Sequence, residues 1–167
     1  MDTAHSVPTF EFKHLGFTTQ TGRFDRAHGS VTLDRKARTG HVEYEIDTTS
    51  LNMGVGTETP ESPGYLLFDV KNHPKIVFHS KRLHFDASGA VSGADGELTL
   101  LGITRPLMVT ISHFACGPSP ANGRYACAGD ISADLKRSEF GMLRYIPNIS
   151  DEIHITVPVE AYRTGEP

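Results

Sequence analysis

The chain has 167 residues, 38% of them hydrophobic, and a formal net charge of -4, enough for one domain whose core needs no disulfide or metal to hold it. A pI near 6.1 with Lys and Arg dispersed excludes the basic footprint of a nucleic-acid or anionic-membrane binder. No window approaches the roughly 20 apolar residues of a membrane span, and no linker, repeat or low-complexity tract divides residues 1–167, which read as one domain.

At the N-terminus, Asp2, His5 and Ser6 supply the residue types of a hydrolytic triad, but no nucleophile elbow or Gly-lined oxyanion hole accompanies them. Asp2 and Ser6 read instead as turn or capping groups, and His5 as the residue that fastens the N-terminus. Phe10 and Phe12 then alternate with Glu11 and Lys13, and Val31 and Leu33 with Thr32 and Asp34. Val42, Tyr44 and Ile46 alternate with Glu43, Glu45 and Asp47. Such a period of two marks strands with one apolar and one wet face. The densest basic cluster, Asp34-Arg35-Lys36-Ala37-Arg38 beside Thr39-Gly40, reads as a solvated turn.

From Asn52 to Gly64 the rhythm breaks into Gly, Pro and Glu. An excursion of this kind in a compact β protein is usually functional or mobile. The unalternated run Tyr65-Leu66-Leu67-Phe68-Asp69-Val70 fits one or two helical turns capping a barrel mouth. Strand-like runs resume at Ile76-Val77-Phe78, Leu107 to Phe114, Tyr125 to Leu135 and Ile153 to Val159, with turn signals between them. About eight strands joined by short loops suit an antiparallel barrel or sandwich. Pro158, inside the last run, removes a donor from the ladder and belongs at an edge, a bulge or a seam.

Cys116 and Cys127 flank the turn-forming segment Gly117 to Gly123. A hairpin centred between Ala121 and Asn122 would set them opposite each other and allow a disulfide if the register holds. A tight Asn122-Gly123 turn would pair Cys116 with Gly129 instead, so a wider loop is required. The alternative is two buried free thiols. A disulfide here would imply an oxidising compartment. The nine histidines contain no His-x-His or His-x-x-x-His pair and none sits beside a Cys at zinc-ligand spacing, so no metal site is expected. Nine Phe residues spread over almost every strand either fill a core or line a cavity for one ligand.

Three segments carry a family resemblance. They are Asp2 to Phe17, then Gly96-Glu97-Leu98-Thr99-Leu100-Leu101-Gly102-Ile103-Thr104-Arg105-Pro106-Leu107, then Lys136 to Met142 with the strand that follows. Together they resemble the YceI-like family over nearly the whole chain. The resemblance implies an all-β, eight-stranded antiparallel lipocalin-like barrel with one or two short helical segments. It also implies a function without catalysis: binding and transport or storage of a polyisoprenoid or an isoprenoid quinone of ubiquinone type. No cofactor is expected beyond that ligand. The implied place is the bacterial periplasm, since Met1 stands where a mature exported chain would begin, with the signal peptide absent from this sequence. The late-hairpin pair Cys116 and Cys127 looks like that of an exported quinone-binding branch. A transient inner-membrane redox partner is a further implication, carried by no residue of this chain, and the expected state is a monomer or homodimer. Resemblance and alternation together give the expected lining: Phe12, Phe17, Phe24, Phe68, Phe78, Leu98, Leu100, Val109, Ile111, Phe140, Met142 and Ile155. The family's Arg/Asp-x-His-Leu stretch is replaced here by Thr57 to Gly64, so no head-group contact carries over. The alternative function is an interaction module with a filled barrel and a partner-binding loop at 52–64.

Overall fold

The period-two runs fold as strands of one curled antiparallel sheet. The computed structural model describes residues 1–54, 56, 59 and 61–164. The strands are β1 (Thr9–His14), β2 (Thr18–Phe24), β3 (Ala27–Asp34), β4 (Thr39–Asp47), β5 (Leu51–Asn52), β6 (Lys75–Phe85), β7 (Val91–Leu100), β8 (Ile103–Pro118), β9 (Tyr125–Lys136) and β10 (Glu152–Tyr162). A short helix, α1 (Pro63–Phe68), precedes β6, and 3-10 turns occupy Thr48–Ser50 and Arg137–Phe140.

The sheet order is β3-β4-β6-β7-β8-β9-β10-β1-β2-β5. Its ends, β3 and the β2–β5 pair, are consecutive in sequence, since only Asp25 and Arg26 separate Phe24 from Ala27. β2 and β3 are two arms of one bent strand, the first paired with β1 and the second with β4. The chain itself thus joins the ends of the curl. With β2–β3 taken as one strand and the two-residue β5 set aside, ten strands reduce to the expected eight.

Polar groups hold the corner at this bend, the buried Ser50 at their centre. Ser50 Oγ accepts the Arg26 N–H at 2.9 Å and donates to the Asp47 carbonyl at 2.6 Å, and the Ser50 carbonyl accepts the Asp25 N–H at 2.9 Å. The Arg26 guanidinium reaches Asp47 and Thr49 at 2.9 and 2.6 Å. Backbone donors and acceptors that leave the ladder at a bend must find such partners.

Pro158 pairs with Asp130 of β9. On the other side of β10, β1 pairs only with His154, Ile155 and Thr156. The missing donor therefore costs no ladder bond and lies on the open seam above β1. At the late hairpin Cys116 pairs directly with Cys127 across a loop that runs from Ser119 to Arg124, and the two sulfurs form a disulfide. This is the wide-loop geometry: Gly123 takes φ +73° and its N–H donates to the Ser119 carbonyl at 2.8 Å.

The N-terminus is fastened by Ser6, which corrects the role expected of His5. Ser6 is 1% exposed; its hydroxyl accepts the Glu160 N–H at 3.1 Å and its carbonyl accepts the Tyr44 hydroxyl at 2.6 Å. His5 is exposed and its ring meets Asp2 at 3.1 Å. Asp2 does act as a turn cap, accepting the Ala4 N–H at 2.9 Å.

Candidate functional site

The inward faces of the strands enclose an apolar cavity of about 470 Å³. Alternation decides which residues reach it. On β10, Ile153, Ile155, Val157 and Val159 share one face and all four line the cavity. Six residue steps along a strand span about 20 Å, so the cavity follows the strand as a tube. Val42, Tyr44 and Ile46 of β4, Leu107, Val109 and Ile111 of β8, and Ile131, Ala133 and Leu135 of β9 line it with the same period.

Small inward residues make room for large ones. Gly22 of β2 lies opposite Phe10, and Gly96 of β7, opposite Ser80, is the next position on the same face as the Phe78–Leu98 pair. A Cβ at Gly22 would collide with the Phe10 ring, and one at Gly96 with the Phe78 ring. The rings therefore lie against the wall over glycine. Ordinary side chains at both sites would drive them into the lumen.

One end of the tube is covered by α1. Pro63, Gly64, Leu67 and Phe68 line the cavity there. The helix starts with Pro63 in its first turn, where a missing N–H costs nothing, and ends at Asp69 in the left-handed region, φ 43°. Phe68 is set among Phe10 and Phe24 at ring-centroid distances of 5.9 and 5.1 Å. Tyr65 ties the helix to the corner, its hydroxyl donating to the Thr49 carbonyl at 2.6 Å. This is the mouth-capping helical turn expected from the sequence run. Of the departed family stretch, Thr57, Glu58 and Pro60, with Val55 before them, lie outside the described residues.

Toward the 137–151 segment the lining includes Arg137, Met142 and Ile149. Among the described lining residues Arg137 carries the one charged side chain, and it is 3% exposed. Its guanidinium donates to three carbonyls: Ser150 at 2.9 Å, Ile149 at 3.0 Å and Arg144 at 3.3 Å. Burial pulls the guanidinium below its usual pKa, opposed by the Asp151 charge. Tyr44, also lining, has its phenol held by Ser6, and burial raises its pKa. Arg137 and Tyr44 are thus spent on the backbone, as are the lining hydroxyls of Thr9, which donates to the Thr156 carbonyl, and Ser62, which accepts the Thr59 N–H, and the lumen they leave is hydrocarbon.

Of the expected lining, Phe12, Phe24, Phe68, Phe78, Leu98, Leu100, Val109, Ile111, Met142 and Ile155 come together around this cavity. Phe17 does not: it is 89% exposed. The tight turn at Leu15 and Gly16, both at positive φ, ends the alternation of β1 before Phe17 is reached. Phe140 does not either. It is 2% exposed and packs in the core beneath the Arg137–Phe140 turn, outside the cavity lining. Phe10, Tyr44, Met53, Ile76, Leu107, Ile131, Leu135, Ile149, Ile153, Val157 and Val159 line the cavity without having been expected. Most share strand parity with residues that were, so alternation alone could have found them. Met53 and Ile149 sit outside regular strands and offered no such signal. No described helix is long and apolar enough to cross a membrane.

The comparisons with known proteins agree with this architecture. The family model of the YceI-like domain matches residues 1–161. A UPF0312 protein of Pseudomonas aeruginosa (strain LESB58) is 29% identical over 160 residues, covering 95% of this chain and 82% of that protein. One of Vibrio campbellii is 26% identical over 154 residues, covering 91% and 81%. Burkholderia cenocepacia BcnA superposes with a TM-score of 0.73 at 23% identity, over 96% of this chain and 98% of that one. A polyisoprenoid binding domain from Saccharophagus degradans, implicated in plant cell wall breakdown, superposes at 0.63 with 16% identity, over 98% and 97%. At such identities the solved structures speak for the shared fold. With a family match that runs from Met1 to Ala161, the chain belongs to the YceI-like family.

Proposed function

We propose that this protein binds a long isoprenoid lipid, a polyisoprenoid or an isoprenoid quinone, inside its barrel and carries or stores it without chemical change. The observation that carries the reading is the tube itself. It is apolar along about 20 Å of strand, with its polar side chains already bonded to backbone. Such a lumen recognises a hydrocarbon tail and offers little to a head group. Each methylene moved out of water contributes about 0.8 kcal/mol, so several isoprene units suffice for tight binding. The ligand named for the Saccharophagus domain supports the same lipid class. The disulfide suits an oxidising compartment such as the periplasm.

The test is organic extraction of freshly purified protein followed by mass spectrometry. An isoprenoid near one equivalent per chain is the expected result. An extract without lipid, together with no uptake of added polyisoprenol or quinone, would overturn the reading. It would favour a filled barrel acting as an interaction module.

A further inference from the structure

The outer wall of the barrel carries a cluster that the lumen does not use. His41 and Glu43 stand two residues apart on β4, so both side chains point outward on one face. Glu43 lies opposite His79 of β6 in the antiparallel register. His41 Nε2 is 3.4 Å from Glu43 Oε1, and His79 Nδ1 is 3.8 Å from the same oxygen. The three atoms lie within 4.8 Å of one another, and the imidazoles stack with planes 12° apart. Neighbouring carboxylates on this wall are each met by a Lys or Arg: Glu45 by Lys75, Glu97 by Lys81, Asp95 by Arg82, Asp47 by Arg26. Among the described residues, only the two imidazoles meet Glu43.

We propose that His41, Glu43 and His79 form a binding site for a divalent transition-metal ion of the zinc class. Two imidazole nitrogens and a carboxylate oxygen are a set that Zn²⁺ takes in tetrahedral geometry at about 2.0–2.2 Å. Ligand atoms of such a tetrahedron stand roughly 3.4 Å apart, by the geometry of those bond lengths. The His41–Glu43 separation already fits, and His79 has only a small approach to make. Exposed rotamers can supply that motion.

A partner behind the site fixes one ligand. His41 Nδ1 is 3.4 Å from Ser80 Oγ, which is 3% exposed and also accepts the Val42 N–H at 2.8 Å. With Nδ1–H donating to that hydroxyl, Nε2 turns its lone pair toward Glu43 and the ion. Metal-binding histidines are generally held through their second nitrogen in this way. Three protein ligands leave one position for water, facing solvent. Hard cations such as Mg²⁺ prefer oxygen ligands and octahedral geometry, and are not suited to the site. The ion would bridge β4 to β6, whose inward residues Val42, Tyr44 and Phe78 line the lipid cavity, so binding stiffens that wall.

The experiment titrates tag-free protein with zinc chloride by calorimetry at near-neutral pH and follows the melting temperature alongside. The expected result is one ion per chain, a raised melting temperature and no effect of magnesium chloride. His41→Ala and His79→Ala should each weaken binding by at least about tenfold. His5→Ala is the control, because Asp2, His5 and Glu160 form another group with ligand-type atoms close together. The ligands are exposed, and circular dichroism checks that the variants fold. Absence of zinc binding to the parent protein would overturn the proposal. So would binding that survives both His41→Ala and His79→Ala, or that is lost in His5→Ala alone.

Discussion

Phe68, the last residue of α1, stands edge-on to Phe24 at the end of β2, with ring centroids 5.1 Å apart and planes at 80°. The contact latches the helix to the barrel at the corner where β2 bends into β3. Edge-to-face pairs of this kind contribute about 0.5–1.5 kcal/mol beyond their buried area. A six-residue helix has little stability of its own, so the aromatic contact and the Tyr65–Thr49 hydrogen bond hold the cover down.

Phe68→Ala is therefore expected to act on lipid exchange more than on the barrel. Phe68 is only partly buried, so the loss of stability should be roughly 1–3 kcal/mol, below that of a fully buried Phe. Release of a bound isoprenoid into acceptor vesicles should become several-fold faster, since the ring no longer closes the mouth. An unchanged release rate would assign lipid exit to another part of the molecule.

The disulfide closes a loop with a sequence separation of 11, for which loop-closure entropy gives about 2–3 kcal/mol of stability. The double variant Cys116→Ser/Cys127→Ser should lose that amount in denaturant titrations, with bound lipid unaffected because neither cysteine lines the cavity. Intact mass should rise by about 2 Da when the parent protein is reduced, the two hydrogens of one cystine. Equal stability of parent and variant would show that the hairpin needs no covalent tie.

Asp151 gives the fold an acid-sensitive joint. Burial pushes its carboxyl up, but the Ser138 hydroxyl and backbone N–H, each at 2.7 Å, and the nearby Arg137 and Lys136 charges outweigh this and hold it below the usual carboxylate value. A depressed folded-state pKa contributes stability that is complete above the unfolded value of about 3.9. That contribution is lost as pH falls through the folded value. The gap in melting temperature between the parent and Asp151→Asn should thus be constant near neutrality and close on acidification below about pH 4. Asn keeps one acceptor for the Ser138 N–H but loses the oxygen that accepts the Ser138 hydroxyl, so only the pH-dependent part of the gap reports the charge. A gap independent of pH would mean that Asp151 contributes only its hydrogen bonds.

How much of this was legible in the sequence depends on what each strand puts inside. β4 and β10 carry large inward residues at every second position, and their alternation identifies both strand and lumen face. β2 and β7 are different. Their inward positions include Gly22 and Gly96, kept small beneath the rings of Phe10 and Phe78, and the small Ala94, so periodicity passes over them. Phe17 illustrates the opposite error. It is a third aromatic close behind Phe10 and Phe12, but it falls off their even parity and the chain has already turned at Leu15 and Gly16. The His41–Glu43–His79 cluster was invisible for a third reason: its members come from two strands, and only the register of β4 on β6 assembles it.

The lumen itself is tested by filling it. Leu100 and Ile111 both line the cavity, from β7 and β8, so Leu100→Trp and Ile111→Trp add bulk where the lipid tail would lie. In a closely packed interior, added volume of this kind destabilises by about 1–3 kcal/mol or more. In an open tube the indole takes space that is free, and delipidated protein should melt close to the parent temperature. Co-purified isoprenoid should fall in both variants, because the tail and the indole compete for one volume. The comparison needs delipidated samples, since a ligand that binds only the folded state raises apparent stability by mass action. Leu100 is 5% exposed and sits among the core side chains, whereas Ile111 is less tightly enclosed. Leu100→Trp should accordingly be the more destabilising of the two, and Ile111→Trp the cleaner competitor. Strong destabilisation by both, with lipid content unchanged, would mean that the tail lies elsewhere and that the cavity is a flaw of packing with no role in binding.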